Sequence, residues 1–199
     1  YNIMNNSLKL VLKILGISLL VIAVIFFVVR YNTKAYSPED TVSYTNNDLT
    51  IEVFYNRPYK KGRGIFGNLV PYDSVWRTGA NEATTFKTNK DIMVDGSLLQ
   101  KGEYTLWTIP KKKSWEIIFN NKMYPWGIDL NGKVYRDAKF DALIVEVPSN
   151  KLQETVEQFS IYFEQANDFV FMVLAWDRTS VAVPIKIKET PTIEAPSKN

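Results

Sequence analysis

The chain changes its hydrophobic pattern once, near residue 30. Residues 10–29 read LVLKILGISLLVIAVIFFVV, an apolar run broken only by Lys13 and by the small residues Gly16 and Ser18. At about 1.5 Å per residue this segment makes a helix of about 30 Å, the thickness of a bilayer core. Lys13 lies one turn inside the end and can reach the headgroups. A cleaved signal peptide would have an apolar region of about 7–15 residues and a small-residue cleavage site. Here Val28-Val29-Arg30-Tyr31 ends a longer run. The pattern therefore predicts one membrane-spanning helix over residues 10–30, preceded by a short tail, 1–9.

Beyond it, residues 31–47 are polar, contain Pro38, and read as a linker. From there the period becomes two. In LTIEVFY (49–55), Leu49, Ile51, Val53 and Tyr55 share one face. Further strands are expected at 82–88, 92–94, 103–109, 115–119, 143–147 and 159–164. A continuous apolar run at 169–176 suits a central strand buried on both faces. A turn at 177–180 leads to a last strand at 181–187. Residues 150–157 read as the one short helix. Strands this short and frequent predict a mainly β domain, an antiparallel β-sandwich or jelly roll, over 48–187. The end, 188–199, carries Pro191 and Pro196 and reads as an extended tail. Five tryptophans and eleven phenylalanines are expected to fill the core.

Charge changes the picture little. The chain has 24 basic and 21 acidic residues, net +3. Three of the basic residues, Lys9, Lys13 and Arg30, are the only charges in the first thirty positions, so the remainder is neutral with 21 of each sign. No concentrated basic patch points to nucleic acid; Lys111-Lys112-Lys113 reads as a solvated turn between strands. Lys9 and Lys13 on one side of the apolar run balance Arg30 and Lys34 on the other, so positive-inside counting ties. A short tail before a large folded domain favours export of the domain. The chain has neither cysteine nor histidine. This excludes thiol chemistry, a Ser-His-Asp triad and histidine- or cysteine-ligated zinc. No cofactor and no metal is expected.

Two strings can carry chemistry. Gly62-Arg63-Gly64-Ile65-Phe66-Gly67 is a literal G-x-G-x-x-G, but Pro71 follows and no amphipathic helix begins, so the glycines are expected to shape a tight loop rather than hold phosphate. In residues 75–84, Trp76 supplies an apolar anchor, and Arg77, Asn81 and Glu82 surround a flexible turn. Arg77 and Glu82 can pair across it as a structural clasp. Alternatively Arg77, Asn81 and Glu82, with Arg63 nearby, form a polar ligand-binding set. Both readings stand on the sequence.

Several strings together resemble a known family. Asn56-Arg57-Pro58, Lys61 with the glycine string, Leu69-Val70-Pro71-Tyr72, residues 75–84, residues 102–110 (GEYTLWTIP), residues 115–120 and Trp126-Gly127 occur in that order. The chain resembles domain of unknown function 2911 over about residues 45–187. Asp73 and Trp107 stand where a glycine and a phenylalanine are usual. The resemblance implies an envelope or secreted protein of the Bacteroidota and supplies no activity. Three functions follow: a membrane-anchored accessory or scaffolding subunit of a larger membrane complex, with the bilayer and other proteins as partners; a binding module for a glycan or small ligand; or a hydrolase pairing Glu82 with Glu103. The expected location is the bacterial inner membrane, single-pass, with the C-terminal domain in the periplasm.

Overall fold

A computed structural model describes residues 6–129 and 131–187. The first element is a 31-residue helix, α1 (Asn6–Tyr36), long and apolar enough to cross a membrane. Every Leu, Ile, Val and Phe of residues 10–29 is at least 49% exposed. The helix does not stop at the apolar boundary but runs seven residues further, to Tyr36. Pro38 ends it, because proline disfavours helical backbone at the residue before it and cannot donate its own nitrogen.

Nine strands follow: β1 (Glu39–Asn46), β2 (Leu49–Asn56), β3 (Thr85–Thr88), β4 (Ile92–Val94), β5 (Ser97–Leu99), β6 (Gly102–Pro110), β7 (Ser114–Asn120), β8 (Asp141–Ala166) and β9 (Phe169–Ile187). They form one antiparallel sheet in the order β1-β2-β3-β6-β7-β8-β9-β4-β5. The sheet becomes a sandwich because β8 turns a corner. Its first part, up to Pro148, pairs with β7; from Ser149 onward it pairs with β9. The layer before the corner supplies Leu49, Ile51, Phe86, Trp115 and Val145 to the core, and the layer beyond it supplies Ile161, Met172, Leu174 and Ile92. Tyr55 fastens the layers, its hydroxyl donating to the Ile161 carbonyl (3.2 Å) and accepting from the Ile161 amide (2.9 Å).

Four expectations need correction. Residues 31–47 are not a linker: they hold the end of α1 and all of β1, so the β-domain begins at Glu39. Residues 150–157 are strand, not helix. Cross-strand pairing of Lys151 with Thr179 and of Val156 with Asp177 overrides local preference, and the register between those pairs, just past the corner, is irregular. The turn expected at 177–180 is a kink within one strand. Even-numbered residues up to Trp176 face the core, and then the odd-numbered Val181, Val183 and Ile185 do. Asp177, at φ 54°, absorbs that change of phase. The expected strand at 82–88 shortens to Thr85–Thr88. The expected tail at 188–199 lies outside the described residues.

An aromatic group joins the layers at the end nearest the helix. Trp76 stacks on Trp176 (5.9 Å between centroids) and meets Phe159 (5.0 Å) and Trp115 (6.2 Å) edge-on. A smaller cluster, Ala83, Trp107, Ile118 and Tyr124, packs separately. Gly127, at φ 70°, is required in the loop above this cluster: a Cβ there would lie 2.6 Å from the Trp107 ring.

Because Trp176 is 1% exposed and Trp126 is 46% exposed, Trp176→Ala is expected to cost about 3–5 kcal/mol and Trp126→Ala less than about 0.5 kcal/mol. Denaturant unfolding of the full chain in detergent checks both.

Candidate functional site

The 75–84 segment is rigid for reasons written in its backbone. Trp76 exchanges hydrogen bonds with Thr108 (2.7 and 3.0 Å), adding a short bridge beside β6. The chain then reverses through Thr78, Gly79 and Asn81, all at positive φ. Only glycine suits position 79, where φ is 154° and a Cβ would lie 2.9 Å from the Asn56 carbonyl oxygen. The Thr84 hydroxyl closes the turn by donating to the Thr78 carbonyl (2.8 Å).

Two of the four sequence-predicted site residues turn out to grip the helix. Glu82 accepts from Lys34 Nζ (2.8 Å) through one carboxylate oxygen and pairs with Arg30 (3.1 Å) through the other. Asn56 Nδ2 donates to it as well (3.0 Å). Asn81 donates through Nδ2 to the Ser37 carbonyl (3.1 Å) and also lies 3.4 Å from the Thr33 carbonyl, both at the helix end. Lys34 also pairs with Glu39. The helix C-terminus is therefore capped by a side chain of the domain, and its last-turn cation sits where the macrodipole favours positive charge.

Burial opposes ionisation of Glu82, but the Lys34 ammonium and the Asn56 amide outweigh it and hold the carboxyl below its ordinary value. The clasp expected between Arg77 and Glu82 does not form. The two side chains leave the turn toward different partners: Arg77 Nη1 donates to the carbonyls of Asn81 (3.0 Å) and Trp126 (3.2 Å). Burial lowers the Arg77 pKa, while the charge of Glu82 opposes that shift from a distance. Arg77 thus ties the 75–84 turn to the loop around Trp126. Glu82 and Glu103 are not brought together. Glu103 lies on β6 opposite Lys87, at the far end of the β3 pairing from Glu82.

Arg63 stays in its own loop, donating through Nε to the Lys60 carbonyl (3.0 Å) and through Nη2 to the Tyr59 carbonyl. The glycine string is a tight loop, with Gly62 and Gly67 at positive φ and no helix after it. Arg63 and Arg77 nevertheless share a cavity of about 580 Å³ at the helix end. Lys61, stacked over the Tyr36 ring at 3.9 Å, is a third cation on its wall, and Trp76, Trp176 and Val70 give it an apolar floor. Among the described residues no carboxylate lines it. A second cavity, of about 320 Å³, runs between the helix and the domain, and Arg77 stands in both.

Sequence reasoning missed Lys34, Arg30, Lys61 and Trp126. Arg30 and Lys34 carried one usable signal: they are four apart, so on a helix that continues past the apolar run they lie on one face.

The chain belongs to the family described as Protein of unknown function (DUF2911), whose model matches residues 37–185. No curated protein and no solved structure matches. The family match includes Asn56, Arg77, Asn81 and Glu82 and ends short of Arg30 and Lys34.

The rearranged clasp has a measurable signature. In a double-mutant cycle on the full chain, Lys34→Ala and Glu82→Ala are expected to couple by about 1 kcal/mol at pH 7, above the usual exposed pair because two cations converge on one partly buried carboxylate. Arg77→Ala and Glu82→Ala are expected to couple by less than about 0.5 kcal/mol. Because the folded carboxyl titrates below its unfolded value, its stabilisation is complete above about pH 4.5 and is lost as pH falls through the depressed value. Thermal melts of the four variants, repeated down the pH scale, should show the Lys34–Glu82 coupling vanish only at the acid end.

Proposed function

We propose that this protein is a single-pass membrane protein whose β-domain is a binding module, held next to the bilayer surface for an anionic small ligand or acidic glycan. The observation that carries the reading is the 580 Å³ cavity, whose wall, among the described residues, holds three cations and no carboxylate. An apolar aromatic floor beneath a few placed cations is suited to a ring-bearing ligand with a carboxylate or phosphate. The membrane part rests on the exposed apolar helix. Each of its Leu, Ile, Val and Phe side chains gains about 1.5–3 kcal/mol on leaving water, and no part of the described domain covers them.

If the hydrocarbon ends near Val29, Tyr36 on the cavity wall stands about 10 Å above it, within reach of the membrane surface. The reading places the domain on the exported side of a bacterial inner membrane. Two of the four residues expected to bind ligand, Arg63 and Arg77, line the cavity, and the other two serve the helix junction. The accessory-subunit role has no comparable observation behind it. The hydrolase reading loses its carboxylate pair.

Two experiments test the proposal. The full chain should remain in the membrane pellet after carbonate washing, and protease added to intact spheroplasts should digest the domain; release, or protection until lysis, contradicts the location. Uronic acids and sugar phosphates titrated onto the protein in nanodiscs should bind and change tryptophan emission, while neutral sugars should not. Removing one charged hydrogen-bond donor, by Arg63→Gln, should weaken binding about tenfold without lowering the melting temperature. Equal binding of neutral sugars, or an unaltered affinity in Arg63→Gln, contradicts an anion site.

A further inference from the structure

Phe26 and Val29 belong to the apolar run of α1, and they line the 320 Å³ groove together with Trp126 and Ile128 of the domain. That shared groove fixes the depth of a loop that otherwise looks like ordinary surface. Arg77 clips the Trp126 carbonyl, and Gly127 lets the backbone close onto Trp107, so the loop does not swing away from the helix. Its large apolar side chains are nevertheless presented outward: Trp126 is 46% exposed and Met123 is 48% exposed. An exposed tryptophan on a rigid loop, beside residues that sit within hydrocarbon, stands at the level where tryptophan favours the bilayer interface. Polar groups occur at the other end of the same groove, where, among the described residues, Arg30, Lys34 and Arg77 outnumber the carboxylates of Glu82 and of the Glu39 that pairs with Lys34.

We propose that the loop around Trp126 is a second membrane contact, and that the groove beside the helix takes one phospholipid of the surrounding bilayer. Its acyl chain runs along Phe26, Val29, Ile128 and Trp126, and its phosphate lies beside Arg30 and Arg77. The apolar end of the groove is continuous with the membrane-crossing segment, and the net positive end matches a phosphate, so both ends select a lipid. The inference rests on the membrane-anchor reading above but not on the ligand cavity. With the loop engaged, the β-domain lies down on the bilayer and does not stand off it.

The test uses the full chain reconstituted in vesicles containing lipids with a nitroxide on the upper acyl chain. Tryptophan quenching reports contact with those lipids. Trp126 is one of five tryptophans and the most exposed, so up to about one fifth of the emission should be quenched. In Trp126→Phe, which keeps an aromatic ring at a half-exposed position, that quenching should disappear. A fluorescent label on Val21→Cys, in a chain with no other cysteine, reports separately whether the helix is in the bilayer. A label quenched by deep nitroxides, with quenching of tryptophan unchanged by Trp126→Phe or absent altogether, overturns the inference and leaves the anchor standing. A label not quenched overturns both. For the lipid in the groove, Arg30→Gln with Ile128→Glu should reduce the co-purifying phospholipid by about one molecule per chain; unchanged lipid content overturns that part.

Discussion

A carboxylate that is one-fifth exposed and faces two cations from another element is a strong determinant of geometry, because each contact fixes the others. Glu82 occupies that position. It meets Lys34 and Arg30, four residues apart on α1, and the Asn56 amide holds it from the domain side. Without these contacts α1 would be held to the sandwich by the short joint at Ser37 and Pro38, by the Asn81 hydrogen bonds, by Lys34 on Glu39 and by Lys61 over Tyr36. With them the helix end becomes part of the domain. Asn81 adds hydrogen bonds to the Thr33 and Ser37 carbonyls at the helix end.

Everything proposed for function depends on that orientation. The cavity that carries three cations uses Tyr36 and Ser37 of the helix end as part of its wall. The groove that reaches Phe26 exists only because the helix lies beside the Trp126 loop. Arg77 stands between the two, and its bonds to Asn81 and Trp126 make the floor of one and the side of the other a single unit. A ligand in the larger cavity would therefore contact Arg77, which also lines the groove beside the helix.

Most of the fold was legible in the sequence because alternation survives wherever one face is buried. In β2 the expected residues Leu49, Ile51, Val53 and Tyr55 are the buried ones. Legibility failed where a long-range partner decides local structure. Nothing near residues 150–157 announces that Thr179 and Asp177 will pair with them. β1 was missed because it alternates polar with half-buried residues and draws its regularity from β2. At the site, the residue types around the 75–84 turn mark a place where polar groups are used, but the clasp expected there does not form and Glu82 pairs with the helix instead. Its partner was assigned within the turn because sequence proximity suggested Arg77, whereas the true partners come from a helix that outruns its apolar run by seven residues. The ligand-binding reading of Arg63 and Arg77 draws support from the cavity for a reason sequence could not supply: the fold brings the 61–63 loop, Arg77 and an aromatic floor to the same place.

Glu82, with Lys34 and Arg30, is expected to hold helix and domain in one orientation. With no native cysteine to interfere, spin labels on Leu19→Cys and Glu154→Cys place one probe on the helix and one on the exposed face of β8. Pulsed electron paramagnetic resonance on the full chain in nanodiscs then reads the distribution of distances between them. The account predicts one narrow distribution that broadens when Glu82→Ala is combined with Lys34→Ala. A broad distribution in the otherwise unaltered chain, or a narrow one that survives both substitutions, would contradict it.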